Sequence, residues 1–229
     1  MCGRFSLTTP EEVIAKFFSL LAIPRLKPRY NLAPTQACSV IRQDDTSGGR
    51  RLDPMHWGLI PSWAKDKSIG NRMINARGET LAEKPSFREA YRKRRCLIPA
   101  DGFYEWKKEG KRKQPHWIGR ANRALFAFAG LWEKWNESDQ DVIESFTIIT
   151  TEPNETIRTL HDRMPVILDP SDYDAWLDPD QDDANTLQEL LVATPIDLLE
   201  FHPISTRVNS PTHDDPSILE PLDSSGLFD

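Results

Sequence analysis

Cys96-Leu97-Ile98-Pro99-Ala100-Asp101-Gly102-Phe103-Tyr104-Glu105-Trp106-Lys107 holds two short runs of β-branched, apolar and aromatic residues joined by a brief connection. Such residues suit a pleated, half-buried surface, so 96–99 and 103–107 are predicted strands. Runs of the same kind recur at 37–41, 55–60, 116–119, 124–130, 145–150 and 165–168. Helix signals are fewer. Thr9 as cap, Pro10 at the first helical position and Glu12 completing a capping box predict a helix from about residue 10 through Leu21. A second capping box, Ser86 to Glu89, opens a short helix with Phe87, Ala90 and Tyr91 on one face and Arg88, Arg92 and Lys93 outside it. Asp169-Pro170 starts a third around 173–177, and 184–192 forms a fourth. Strands and helices do not alternate regularly. The expectation is an α+β fold, one domain over 1–229, with a mostly antiparallel, barrel-like sheet and flanking helices. Residues 44–50 and 178–185 are expected loops.

The 229 residues, 38% hydrophobic and 28% charged, suit a globular chain with one core. No apolar run approaches the roughly 18 residues of a membrane span, and the N-terminus lacks a signal peptide's basic and apolar regions, so a cytoplasmic location is expected. Cys2, Cys38 and Cys96 have neither metal-ligand spacing nor an even number for pairing, which fits a reducing compartment. The five histidines show no short-range pairing, and no metal or cofactor is implied.

The net charge of −6 conceals an uneven distribution. Residues 1–64 carry 8 basic and 5 acidic side chains, 65–123 carry 17 and 7, and 124–229 carry 4 and 23. A polyanion could therefore bind the centre while the acidic C-terminal third faces away. A merely solvated charged surface would look the same.

Chemistry is first suggested by Met1-Cys2-Gly3-Arg4. Removal of Met1 would leave an α-amine and a thiol on one residue. An α-amine of pKa about 7.7–8.0 is roughly one-tenth free base at neutral pH, whereas a lysine amine near 10.4 is almost wholly protonated. It attacks an aldehyde readily, and the thiol can then close a five-membered thiazolidine on the imine. On its own Cys2 also reads as an incidental terminal cysteine.

Alternation along 103–106 puts Phe103 and Glu105 on one face and Tyr104 and Trp106 on the other, aiming Glu105 inward. Burial would raise its pKa toward that of a useful general acid; a solvated strand glutamate is the alternative. Pro165 is expected to stop a helix just after His161, leaving a histidine at an element end, fit for proton shuttling or for a structural bond. Asp162 and Arg163 could simply pair. Asn75 and Glu79 are as readily turn caps as ligand contacts. Arg4, Lys65, Lys67, Arg72 and Arg77 are candidate phosphate partners, with Trp57, Trp63 and Met73 as possible stacking surfaces. Of the aromatics, Trp57 suits the core and Trp63 the surface.

Met-Cys-Gly-Arg-Phe at 1–5, Tyr-Asn-Leu-Ala-Pro at 30–34, Trp-Gly-Leu-Ile-Pro-Ser-Trp at 57–63, Asn-Ala-Arg-Gly-Glu-Thr at 75–80, Ala-Asp-Gly-Phe-Tyr-Glu-Trp at 100–106 and His-Asp-Arg-Met-Pro at 161–165 stand in one order across nearly the whole chain. Together with His-Pro-Ile-Ser at 202–205 and Val208-Asn209, they closely resemble the SRAP family of SOS-response-associated peptidases or abasic-site processing proteins.

The resemblance implies DNA-damage chemistry in which Cys2 crosslinks covalently to the ring-opened sugar of an abasic site in single-stranded DNA. It implies that Asn75 positions the sugar, Glu105 serves as acid and base, and His161 helps to protonate it. Arg4 and Arg77 match backbone contacts, with Trp63 and Lys65 added from the residue reading. The activity would be lyase-like imine chemistry with a possible autopeptidase function. The compact C-terminus, lacking the long tail of many eukaryotic members, favours a bacterial protein, and a nucleoid-associated monomer is expected.

Rival readings are a class II glutamine amidotransferase, which also begins Met-Cys-Gly but needs an Asn-Gly-Glu segment that is missing here, a self-processing peptidase, and a non-covalent single-stranded-DNA binding module.

Overall fold

The computed structural model describes residues 2–222 apart from 24, 45, 121, 137–141 and 196–197. Its strands are β1 (Phe5–Leu7), β2 (Arg29–Leu32), β3 (Ala37–Gln43), β4 (Arg50–Trp57), β5 (Asn75–Arg77), β6 (Arg95–Ala100), β7 (Gly102–Glu109), β8 (Arg112–Gly119), β9 (Phe126–Asn136), β10 (Val142–Thr151), β11 (Met164–Pro165), β12 (Ile167–Leu168) and β13 (Glu200–Pro203). The helices are α1 (Glu11–Phe17), α2 (Arg88–Lys93), α3 (Glu155–Arg158), α4 (Tyr173–Leu177) and α5 (Ala184–Glu189).

One sheet runs β11-β10-β4-β3-β6-β9-β12, and a further pairing of β9 with β10 closes β10, β4, β3, β6 and β9 into a barrel. The second sheet runs β13-β8-β7-β1-β2. Pairing is antiparallel except where β10 meets β4 and β5 in parallel. The fold is therefore the expected α+β barrel-like architecture. Its core is built as a small barrel must be, with side chains filling the interior: Val40, Ile98, Phe128, Phe146 and Ile148 are all buried. Every residue of β6 is buried, because the barrel covers one face and α2 and α4 pack against the strand from outside.

The N-terminus is anchored to this barrel. Phe5 of β1 meets Trp57 and Phe128 edge-on, with ring centroids 5.1 and 5.9 Å away, and its burial stabilises the contact by about 2–3 kcal/mol. β1 then pairs with β7, Phe5 opposite Phe103 and Ser6 opposite Gly102.

At this corner Asp101 is buried and accepts from Ser6 Oγ (2.7 Å), the Thr8 N–H (2.5 Å) and hydroxyl (2.8 Å), and the Thr9 N–H (2.9 Å) and hydroxyl (3.1 Å). Asp101→Ala should cost about 3 kcal/mol or more, since it leaves buried donors without a partner. A urea midpoint that implies a loss below about 1 kcal/mol would contradict this latch.

The same carboxylate corrects the expected cap. Thr9 does not cap α1; it bonds Asp101, and Pro10 occupies the cap position with no side-chain bond, so the Glu12 capping box does not form. The helix ends at Phe17, not Leu21, because Leu21 donates its N–H to Arg50 O and is drawn to the β4 edge. Ser86 likewise caps nothing, and α2 starts later, at Arg88 behind Phe87. The third helix begins as a 3-10 turn over Pro170–Asp172 whose cap is Asp169, and α5 is capped by Asp183 and ends at Glu189, before the expected 192.

The run at 55–60 is the end of a longer strand, and that strand stops at Trp57. Gly58 has φ +136°, and a Cβ there would lie 2.6 Å from Gly70 O. Only glycine permits this crossing of two backbones.

Candidate active site

β1, β5, β7 and the segment between α3 and β11 converge around Cys2. Cys2 is fully buried, and Asn75 Nδ2 donates to its carbonyl oxygen at 3.0 Å as well as to Ile74 O at 2.9 Å. Parallel pairing fixes Asn75 opposite Ile148 of β10. Its Oδ1 is buried with no hydrogen-bond partner among the described residues, an acceptor left open beside Cys2.

Glu105, 2% exposed, lies on β7 opposite His116 of β8. Alternation works as the sequence implies: Phe103 joins the main core, whereas Tyr104 and Trp106 face a second cluster with Trp117, Ile204 and Val208. Burial raises the Glu105 pKa above the ordinary carboxyl value, with His161 among the opposing influences. The Cys2 thiol is pushed well above its usual range, chiefly by burial and then by the charge of Glu105. Glu105 is thus within electrostatic reach of Cys2 on one side and of His161 on the other.

α3 ends at Arg158, earlier than the stop expected after His161, and a turn carries the chain on, with the His161 N–H still bonded to Ile157 O at 2.9 Å. His161 Nδ1 is 3.0 Å from the Arg163 N–H and 2.8 Å from Asp162 Oδ1. One nitrogen cannot accept from the first and donate to the second at once. The backbone bond prevails: its donor is fixed by the chain, whereas the Asp162 side chain is 87% exposed. With Nδ1 accepting the backbone bond, Nε2 is the ring nitrogen left to donate.

Arg163 does not pair with Asp162. It forks onto Glu79 with bonds of 2.7 and 2.8 Å and donates to Thr150 O at 2.6 Å. That fork holds the Glu79 pKa below the usual carboxylate value and ties the 75–80 segment to the 161–165 segment.

Residues 1–211 match the family described as SOS response associated peptidase (SRAP). The chain belongs to the SRAP family. It is 46% identical to the abasic site processing protein YoqW of Bacillus subtilis over 96% of this chain and 99% of that one. With the abasic site processing protein HMCES of Rattus norvegicus it shares 30% identity over 97% of this chain and 76% of the relative. A crystal structure of a protein from Bacteroides thetaiotaomicron superposes with a TM-score of 0.86 at 28% identity, covering 96% of this chain and all of the other.

In this SRAP chain the candidate DNA contacts fall into separate groups. Trp63, 58% exposed, lines a depression of about 380 Å³ with Lys65, Ile69 and Arg72. Arg77 is exposed at the end of β5, two residues from Asn75. Trp57 and Met73 are not surface platforms: Trp57 is buried, and Met73 packs on the core. Arg4 is engaged within the protein, donating to Asn31 Oδ1 (2.7 Å), Val208 O (2.6 Å) and Asn209 O (3.3 Å). A phosphate would meet only the outer edge of its guanidinium.

Sequence reasoning gave no role to Asp101 or Asn31, and to Arg163 only a pairing with Asp162. Each bonds residues far away in the chain, and the one available signal was their place inside the quoted motifs. No group of histidine, cysteine or acidic residues able to hold a metal occurs among the described residues, and no helix there is long and apolar enough to cross a membrane.

Proposed function

We propose that this chain, starting at Cys2 once Met1 is removed, captures abasic sites in single-stranded DNA as a thiazolidine and so shields the lesion from strand cleavage. The observation that carries the reading is the junction of Cys2, held through its carbonyl by Asn75, with a buried Glu105 of raised pKa. Curated relatives named abasic site processing proteins supply the lesion class.

Glu105, carrying its proton, opens the deoxyribose ring by protonating the ring oxygen while the anomeric hydroxyl gives up its proton to water, and His161 Nε2–H donates to a sugar hydroxyl. The Cys2 amine attacks the exposed aldehyde carbon and water leaves, giving an imine. Sγ then adds to the same carbon while the thiol proton passes to nitrogen. Carbon 1 of the sugar ends bonded to both N and S of one residue, with one water released overall. Asn75 fixes the Cys2 backbone for the attack. Arg77, Lys65 and the outer edge of Arg4 hold phosphates, and Trp63 offers a stacking face.

Autocleavage after Met1 is the weaker reading. A peptidase nucleophile is a thiolate, and burial disfavours that form at Cys2. The protein is expected to act as a monomer at the nucleoid of a bacterial cell.

Intact-mass measurement tests the reading. The purified protein should be lighter than its translated sequence by one methionine, and incubation with an abasic oligonucleotide should add the oligonucleotide mass less one water. A chain that retains Met1, or no adduct with the abasic strand, overturns it.

A further inference from the structure

The hairpin of β7 and β8 outruns its neighbours. β1 pairs with β7 at Gly102 and Phe103, β13 pairs with β8 from His116 to Gly119, and among the described residues no other strand pairs with 107–114. What projects is a two-stranded ribbon bearing Lys107, Lys108, Lys111, Arg112 and Lys113 against one acid, Glu109. Glu109 is engaged by Lys107 at 3.4 Å. Lys108 stands directly across from Lys113, a like-charge pair that destabilises an antiparallel ribbon. No acidic side chain among the described residues lies within ion-pair distance of Lys108, Lys111 or Lys113. The arrangement costs folding stability in a chain whose net charge is −6, and an external polyanion would remove that cost.

We infer that this ribbon is a second DNA contact, gripping the phosphate backbone of the strand that leads away from the lesion. The inference rests on the proposed capture of abasic DNA at Cys2 and names the part of the surface that receives the flank. β7 is continuous from Glu105 to the ribbon, so the spacing follows from strand geometry. At about 3.3 Å per residue, Lys108 and Lys113 across from it lie roughly 10 Å beyond Glu105, on the other face of the ribbon, and the tip at Gly110 and Lys111 lies roughly 15 Å beyond it. A single-stranded flank of several nucleotides spans that distance, whereas one flanking nucleotide does not.

The experiment uses the full chain and the double variant Lys108→Gln/Lys113→Gln. That variant removes the like-charge opposition and should fold at least as well as the parent. Affinity is measured across a salt series on oligonucleotides carrying a non-reactive abasic analogue, with either one or eight flanking nucleotides on each side. With long flanks the slope of log affinity against log salt should become shallower by about 1.4, or about 0.7 for each lost single-strand contact. With short flanks the two proteins should bind alike, and the crosslinking rate on a true abasic strand at saturation should be unchanged. An unchanged long-flank slope, or an equal loss at both lengths, overturns the ribbon contact. If the parent protein fails to crosslink the true abasic strand, the capture reading fails instead, whatever the slopes.

Discussion

Cys2→Ala should eliminate heat-stable adducts with abasic oligonucleotides while leaving adducts that borohydride can trap. The variant keeps an α-amine, so the imine still forms, but no sulfur follows to close the ring. Truncating one buried thiol removes a single heavy atom, a loss of about 1 kcal/mol, which leaves the fold in place. Non-covalent binding should be unaffected, because the proposed phosphate contacts lie on Arg77 and Lys65. Gel electrophoresis after heating, with and without prior reduction, separates the two species. Stable crosslinking that survives the substitution would exclude the thiazolidine.

Glu105→Gln should act in opposite directions on chemistry and on stability. Removing a positioned acid slows adduct formation by about 10²-fold or more, with DNA affinity little changed. The parent rate should fall as pH rises through the raised Glu105 pKa, and the variant should lose that limb of its pH profile.

For stability, the folded chain holds the Glu105 proton more tightly than the unfolded chain does. Stability is therefore complete below the ordinary glutamate pKa and is lost as pH rises through the folded value, at about 1.4 kcal/mol per unit across that window. Glutamine carries no such ionisation. Its variant should match the parent at low pH and exceed it in Tm at neutral pH and above. A variant less stable than the parent at neutral pH, or one with parental crosslinking rates, would remove Glu105 from the role of buried acid.

How far the sequence reaches depends on what each residue contacts. The inward aim of Glu105 was legible because side chains alternate along any strand, whatever surrounds it. The caps at Thr9 and Ser86 failed for the opposite reason. A capping box is a local bond of modest strength, and at Thr9 a buried carboxylate distant in sequence competes for the same donors.

The strands at 5–7, 29–32, 75–77 and 200–203 escaped notice because each is short and pairs with a strand distant in the chain. Trp63 and Trp57 were sorted correctly by their neighbours, Pro61 and Lys65 for one and a strand for the other. Lys108 and Lys113 show only a run of charge until pairing sets them face to face.

By itself the sequence determined the class of fold, through runs of strand-forming residues without helical alternation, and the family, through motifs held in one order. It also supplied the reactive parts, since an amine and a thiol on one residue are covalent facts that need no folding. What only the tertiary structure decided is their company. Cys2 meets Asn75 across 73 positions, and Arg163 reaches Glu79 across 84. Such encounters depend on closure of the barrel and on the seating of Phe5 against Trp57 and Phe128, long-range packing that no local pattern encodes.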